Sequence, residues 1–391
     1  MGTLARLLAL LGAIALSFPG EAASFTIRPV VLAGDPAPGG GRFQGFEEVT
    51  INGRGEILFE GITGEGEGLY LASGGSIRPL AILGQPTPLG GQYLGLAFPT
   101  LNEAGQVAFL AMIKGGQVPG AIFLWSEGRL APVAVIGDQA PGGGSFQEFR
   151  DVTLDREGQV AFVAGIQDGR EPGGLFVRSR EGLRRVAALL EPTPLGGTFM
   201  ELALPSLEGG RVVFHGKVSG TRTRTGLFEV SANGLRTLVA EGGPSPAGGT
   251  FHELGPPVLA RSGTVAFWAS VREGKVPGGL FLATGKGIQQ AVARGAPAPR
   301  GGTFSFLGLA FSYVEPGGIA FQADLTGQGP RRGIFVAGPQ GIRAVVVQGD
   351  PSPAGGSFEA FGLPSLAGNG AVAFGGSTGS GHGIFLAEPL P

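Results

Sequence analysis

One short pattern, Pro-x-Gly-Gly-x-aromatic, returns seven times along the chain, and a fold must repeat with it. Its fullest copy is "GDPAPGGGRF" at 34. The others are "GQPTPLGGQY" at 84, "GDQAPGGGSF" at 137, "EPTPLGGTF" at 191, "GGPSPAGGTF" at 242, "GAPAPRGGTF" at 295 and "GDPSPAGGSF" at 349. The prolines before the glycines, Pro38 to Pro353, are spaced by 50, 53, 53, 52, 53 and 54 residues. Two further motifs keep step: "GQVAF" or a variant, ending at Phe59, Phe109, Phe162, Phe214, Phe267, Phe321 and Phe374, and "GLF" or a variant, ending at Tyr70, Phe123, Phe176, Phe228, Phe281, Phe335 and Phe385. Together the three motifs take 19 of 27 phenylalanines and two of three tyrosines, so these rings are core positions of a repeated packing.

Each unit reads as four strands. "FQEFRDVTL", "QVAFVAGI", "GGLFVRS" and "LRRVAAL" are short, rich in β-branched and aromatic residues, and bounded by glycine turns. Four strands in ~40–50 residues is a propeller blade. The fold class is therefore all-β, a seven-bladed β-propeller, with units beginning near 34, 84, 137, 190, 242, 295 and 349. The last unit ends after its third strand, while "SFTIRPVVLAG" at the start aligns with the fourth strand of unit six. The N-terminal strand is expected to complete blade seven and close the ring, because an open ring would leave a reactive edge. In the proline loops, x-Pro-x-Pro is expected to stiffen an extended crossing between blades, with glycines supplying positive φ. Pro99, Pro205, Pro257 and Pro364 place the strand after each loop at an edge lining the channel.

Residues 1–22 read as an export signal: Arg6, the apolar run Leu7 to Phe18, then small residues at Gly20, Ala22 and Ala23. The expected location is secreted or periplasmic, with residues 23–391 expected to form one monomeric domain. A net charge of −2 argues against nucleic-acid binding driven by overall charge, and zero cysteines exclude disulfides and thiol chemistry. No cofactor is expected.

At Asn102 the chain reads "NEAGQVAF". This resembles the bacterial tandem-repeat family named for the pattern NxxGxxAF, whose members are exported. The resemblance implies a repeat architecture and no particular activity. The asparagine is held at Asn52 and Asn102, with Asp155 similar, and is read as a turn residue.

Conventional enzyme motifs are absent. His215, His252 and His382 lie in different units without metal-ligand spacing. Function on a symmetric scaffold must break the symmetry, and two regions do so. One is the channel mouth, where Glu48, Asp151 and Glu201 are candidate acids or bases, and Glu48, Glu148 and Asp151 candidate cation ligands. The other is the loop between strands two and three, basic in units four to six through Arg222, Arg224, Lys275, Arg331 and Arg332. These five would bind an anionic glycan or an acidic protein surface. The favoured expectation is a binding module using that loop face. A polysaccharide hydrolase or lyase with carboxylates at the channel mouth is the alternative, and a passive envelope or matrix component a third. An enzyme is the less favoured reading.

Overall fold

The computed structural model describes residues 25–314 and 318–390; residues 1–22, where an export signal is expected, lie outside them. Every regular element among the described residues is a strand, in seven separate antiparallel sheets. Blades one to six each take four consecutive strands, spanning 43–82, 92–135, 145–188, 198–240, 250–293 and 303–347. In blade one these are Phe43–Ile51, Ile57–Thr63, Gly66–Ser73 and Ser76–Ile82, ordered from the inner edge outward. Blade seven has the order expected from the repeats. Its inner edge is split around Pro364 into Phe358–Phe361 and Ser365–Leu366, followed by Val372–Thr378 and Gly381–Pro389. The outer strand is Phe25–Leu32 from the other end of the chain, paired antiparallel from Phe25↔Pro389 to Leu32↔Gly383. The ring is thus closed by the N-terminal strand.

Alternation along each strand gives a blade two apolar faces, one aromatic and one aliphatic. In blade one Phe59 stacks on Tyr70 at 5.6 Å, and Phe43 meets Tyr70 edge-on at 5.0 Å. The aromatic face of each blade packs on the aliphatic face of the blade before it. Tyr93, Phe109 and Phe123, for example, bury Leu58, Leu69 and Leu71.

The proline loops differ from the extended crossing expected. Each is a small closed hairpin, bridged at Pro36↔Arg42 in the first copy and at the equivalent pair in all seven. Ala37 N–H donates to the Gly41 carbonyl at 3.1 Å, and Phe43 N–H to the Asp35 carbonyl at 3.0 Å. The reversal needs left-handed backbone at Gly40 (φ 122°) and Gly41 (φ 71°), which only glycine adopts cheaply. Folding the loop on itself satisfies its backbone groups locally, which an extended crossing would leave to water.

The asparagines do more than turn the chain. Asn52 Oδ1 accepts from the N–H groups of Arg54 and Glu56, while Asn52 Nδ2 donates to the Asn102 carbonyl of the next blade at 3.0 Å. Asn102 Nδ2 donates likewise to the Asp155 carbonyl at 2.8 Å. Inner-strand serines make similar ties: Ser206, Ser312 and Ser365 accept from Leu259, Leu366 and Ile51 of the following blade.

Asp155 takes the third place in this series as a carboxyl in place of the amide, and the asparagine ties stop at it. Burial pushes its carboxyl up to about 7, against the lowering effect of the Gln159 N–H at 2.8 Å. A raised carboxyl contributes stability below its ordinary range, and that stability is lost as pH rises through about 7. Asp155→Asn, which restores the residue of blades one and two, is therefore expected to stabilise the fold by about 1–2 kcal/mol at about pH 8. The gain should shrink as the pH falls toward the ordinary carboxylate range. Denaturant titrations across pH check this; a gap of constant size, or a weaker variant, would show that the buried charge is not the cause.

Candidate functional site

The inner strands run from the proline loops down the channel, so their first residues form its mouth. All carry bulges there, and four blades hold a non-glycine residue at positive φ at one equivalent position: Glu48 (36°), Phe98 (53°), Asp151 (52°) and Leu204 (52°). Such backbone costs roughly 1–3 kcal/mol per residue and collects at sites where a side chain is deliberately aimed. Proline and apolar side chains fill much of the rest of the mouth; Leu94, Phe98, Met200, Leu204 and Leu363 are exposed.

The sequence candidates at the mouth separate on inspection. Asp151 Oδ2 accepts from the Leu204 N–H of the next blade at 3.2 Å, an inter-blade tie. Glu201 is held by Lys217 at 2.6 Å, and Glu148 lies 3.8 Å from Arg150. Glu48 belongs to a different setting. Across the ladder from its neighbour Glu47 stands Glu60, on the second strand of blade one. Direct cross-strand partners have Cβ atoms roughly 4.5–5.5 Å apart. Burial, then the charges of Glu48, Glu47 and Glu67, push Glu60 up to about 7. Burial and the Glu47 charge also raise Glu48. Among the described residues no group of three His, Asp or Glu side chains is arranged to hold a metal ion.

Glu60 was not among the sequence candidates, yet its signal was present. It follows the phenylalanine of the middle motif, where the other blades carry Leu110, Val163, His215, Trp268, Gln322 and Gly375. This position faces the next blade near the mouth; Leu110 packs in the cluster with Phe149, and Trp268 in the cluster with Leu307. A carboxyl there is set into a largely apolar seam. His215, in the same position of blade four, is pushed down by burial.

The basic candidates lie where the repeats put them, on the loop face of three consecutive blades. Arg222, Arg224, Lys275 and Arg331 are exposed, and Arg332 is half-buried, 3.8 Å from Asp324.

A profile for a family of unknown function, DUF7453, matches residues 21–189 and again 174–383, together most of the chain. The chain belongs to that family. The double match restates the internal repeat of DUF7453 at the scale of half a ring. No curated protein was found to match the chain. Among solved structures, the β-propeller domain of the Trilobed protease from Pyrococcus furiosus superposes with TM-score 0.57 at 9% identity, over 89% of this chain and 98% of that one. That domain is described as having an open velcro topology, whereas here the N-terminal strand closes the ring. A puromycin-hydrolyzing peptidase from Mycobacterium tuberculosis gives 0.52 at 14% identity, covering 89% of this chain and 52% of that one. A puromycin hydrolase gives 0.51 at 13% identity, again over 89% of this chain and 54% of that one. The DUF7453 chain thus spans about half the length of these two. At such identity the likeness is one of fold. It withdraws the expectation that an enzyme is the less favoured reading, because propellers of this shape occur in a protease, a peptidase and a hydrolase; the likeness itself assigns no activity. Among the described residues no helix is long and apolar enough to cross a membrane.

Proposed function

We propose that this DUF7453 protein is an exported hydrolase or lyase that cleaves a polysaccharide at the channel mouth, with Glu60 as general acid and Glu48 as its carboxylate partner. The observation that carries the reading is the Glu60 carboxyl, pushed up to about 7 in a seam with two further glutamates at its side. A general acid must hold its proton near the working pH, and a buried carboxyl crowded by like charges does so. The strained backbone at Glu48 supports it, because a bulge re-aims a side chain into the channel. The likeness of "NEAGQVAF" to exported NxxGxxAF repeats, and the apolar run at Leu7 to Phe18, support a secreted or periplasmic location.

The test is Glu60→Gln. Glutamine already fills this position in blade six, so folding should be kept. Turnover of a polysaccharide panel, read as new reducing or unsaturated ends, is expected to fall at least about 100-fold. Wild-type activity should decline as pH rises through about 7, where the acid loses its proton. An unchanged rate in Glu60→Gln would end the proposal. The basic loops give the same assay a second arm. If replacing Arg222, Arg224, Arg331 and Arg332 by serine removes binding of an anionic glycan or acidic protein while Glu60→Gln changes nothing, the loop-face binding module is the better reading.

A further inference from the structure

Between blades seven and one, beside the same mouth, lies an open cleft of about 260 Å³ lined mainly by Phe46, Phe361, Gly362, Gly375, Ser377 and His382. Its origin can be read by comparing blades. The position after the middle-motif phenylalanine plugs the seam to the next blade everywhere else, with Glu60, Leu110, Val163, His215, Trp268 and Gln322. In blade seven it is Gly375. Blade five shows the ordinary use of a glycine here: Gly255 on the inner strand makes room for Trp268, whose Cβ lies 3.2 Å from where a Gly255 Cβ would stand. In blade seven both partners are glycine, Gly362 and Gly375, with the Gly362 N–H donating to the Gly375 carbonyl at 2.9 Å.

Neither glycine is required by the backbone. Neither has a positive φ. A Cβ at Gly375 would meet nothing within 4 Å, and one at Gly362 would meet only ordinary contacts from 3.7 Å. A glycine inside a strand costs roughly 0.5–1 kcal/mol relative to alanine. What the pair maintains is the space itself, a flat floor beside the ring of Phe46; Phe361 borders it, while its own ring packs with Phe358 and Phe374 toward blade six. His382 closes one end, its ring edge-on to Phe46 at 6.1 Å and its Nε2 against the Gln44 carbonyl.

We infer that this cleft is a subsite for one pyranose ring of the polysaccharide, an inference that rests on the reaction proposed above. The volume lies below the roughly 300–1,000 Å³ of sites for drug-sized ligands, and so suits one ring. The apolar C–H face of a pyranose suits a flat floor beside one aromatic wall, Phe46, and its hydroxyls suit Ser377 and His382. Phe46 is followed directly by Glu47 and Glu48, so a uronate ring would be repelled, and the fitting ring is neutral or amino-bearing. Phe46 packs toward blade seven and Glu60 toward blade two, on opposite faces of blade one. A polymer seated in the cleft would cross the inner edge of blade one and meet Glu48 on the way to Glu60.

The experiment is calorimetric titration of the mature chain with cellohexaose, a glucosamine hexamer, an oligogalacturonate and tyrosinamide. Cellohexaose or the glucosamine hexamer is expected to bind, and Gly375→Leu, which copies blade two, to weaken it at least about tenfold with unchanged melting. Should that variant melt low, Gly375→Val, copying blade three, takes its place. Glu60→Gln should bind as the wild type does. Equal binding by the glycine variant, no binding of either neutral or amino oligosaccharide, or preference for the uronate or tyrosinamide overturns the subsite. Binding lost in Gly375→Leu without any wild-type turnover keeps the subsite and removes the reaction. Turnover abolished by Glu60→Gln but unchanged in KM by Gly375→Leu does the reverse.

Discussion

Removing Phe25–Gly34 is expected to leave a protein that is insoluble or melts far below the parent. The segment supplies the whole outer strand of blade seven, and its loss turns Gly381–Pro389 into an open edge. Phe25 and Val31 are buried, and Ile27, Val30 and Leu32 are packed against the core on the two sides of the strand. Burying a large apolar side chain is worth roughly 1.5–3 kcal/mol, so the strand carries about 5 kcal/mol or more, comparable to the whole stability of an ordinary domain. The deleted strand is continuous with blade one and hydrogen-bonded into blade seven, so the ring also loses that tie, and a chain without cysteine has no disulfide to replace it. A peptide of residues 25–34 added to the truncated chain should raise its melting temperature with concentration, as mass action requires. A truncated protein melting within a few degrees of the parent would show that the closure carries little of the stability.

The ring, its seven blades and its closing strand could be read before any coordinates, because symmetry multiplies a weak signal. One Gly-Gly-x-Phe is a turn; seven at a fixed spacing are a blade period. The unpaired strand at each end then fixed the closure by counting. What symmetry hides is equally specific. The proline loops looked extended because proline favours extended backbone, whereas the glycines fold each loop into a closed hairpin held by its own hydrogen bonds. Asn52 and Asn102 looked like turn residues because only their local role is visible in the sequence; their inter-blade bonds join residues about one unit apart. Glu60 does not stand out in the sequence because it lies on the second strand, beside a core phenylalanine, and only the ladder pairing with Glu47 brings it to the mouth. Gly375 was invisible for another reason. In a chain with 76 glycines one more carries no weight until its neighbours show that nothing forces it to be glycine.

The same comparison of blades isolates a buried charge in blade four whose removal should behave unlike that of its partners. The residue after the third-motif aromatic is apolar in six blades, at Leu71, Leu124, Val177, Leu282, Val336 and Leu386, but in blade four it is Glu229. Its side chain is 3% exposed, with Arg211 Nε donating to Oε1 at 2.8 Å and Arg236 Nε to Oε2 at 3.0 Å. Taking a carboxylate out of water costs several kcal/mol, which two guanidinium partners offset without necessarily exceeding. Replacing Arg211 and Arg236 together by alanine leaves that carboxylate buried without its partners, and should destabilise the protein by about 3–5 kcal/mol. Glu229→Leu restores the residue of the sister blades and frees two arginines that already reach solvent, so it should be neutral or stabilising by about 1–2 kcal/mol. Adding Glu229→Leu to the double-alanine variant should recover most of the loss. Chemical denaturation of the four proteins decides the matter. If Glu229→Leu costs as much as the loss of both arginines, the triad is a net source of stability in its own right, and the apolar consensus of the other six blades is no guide to blade four.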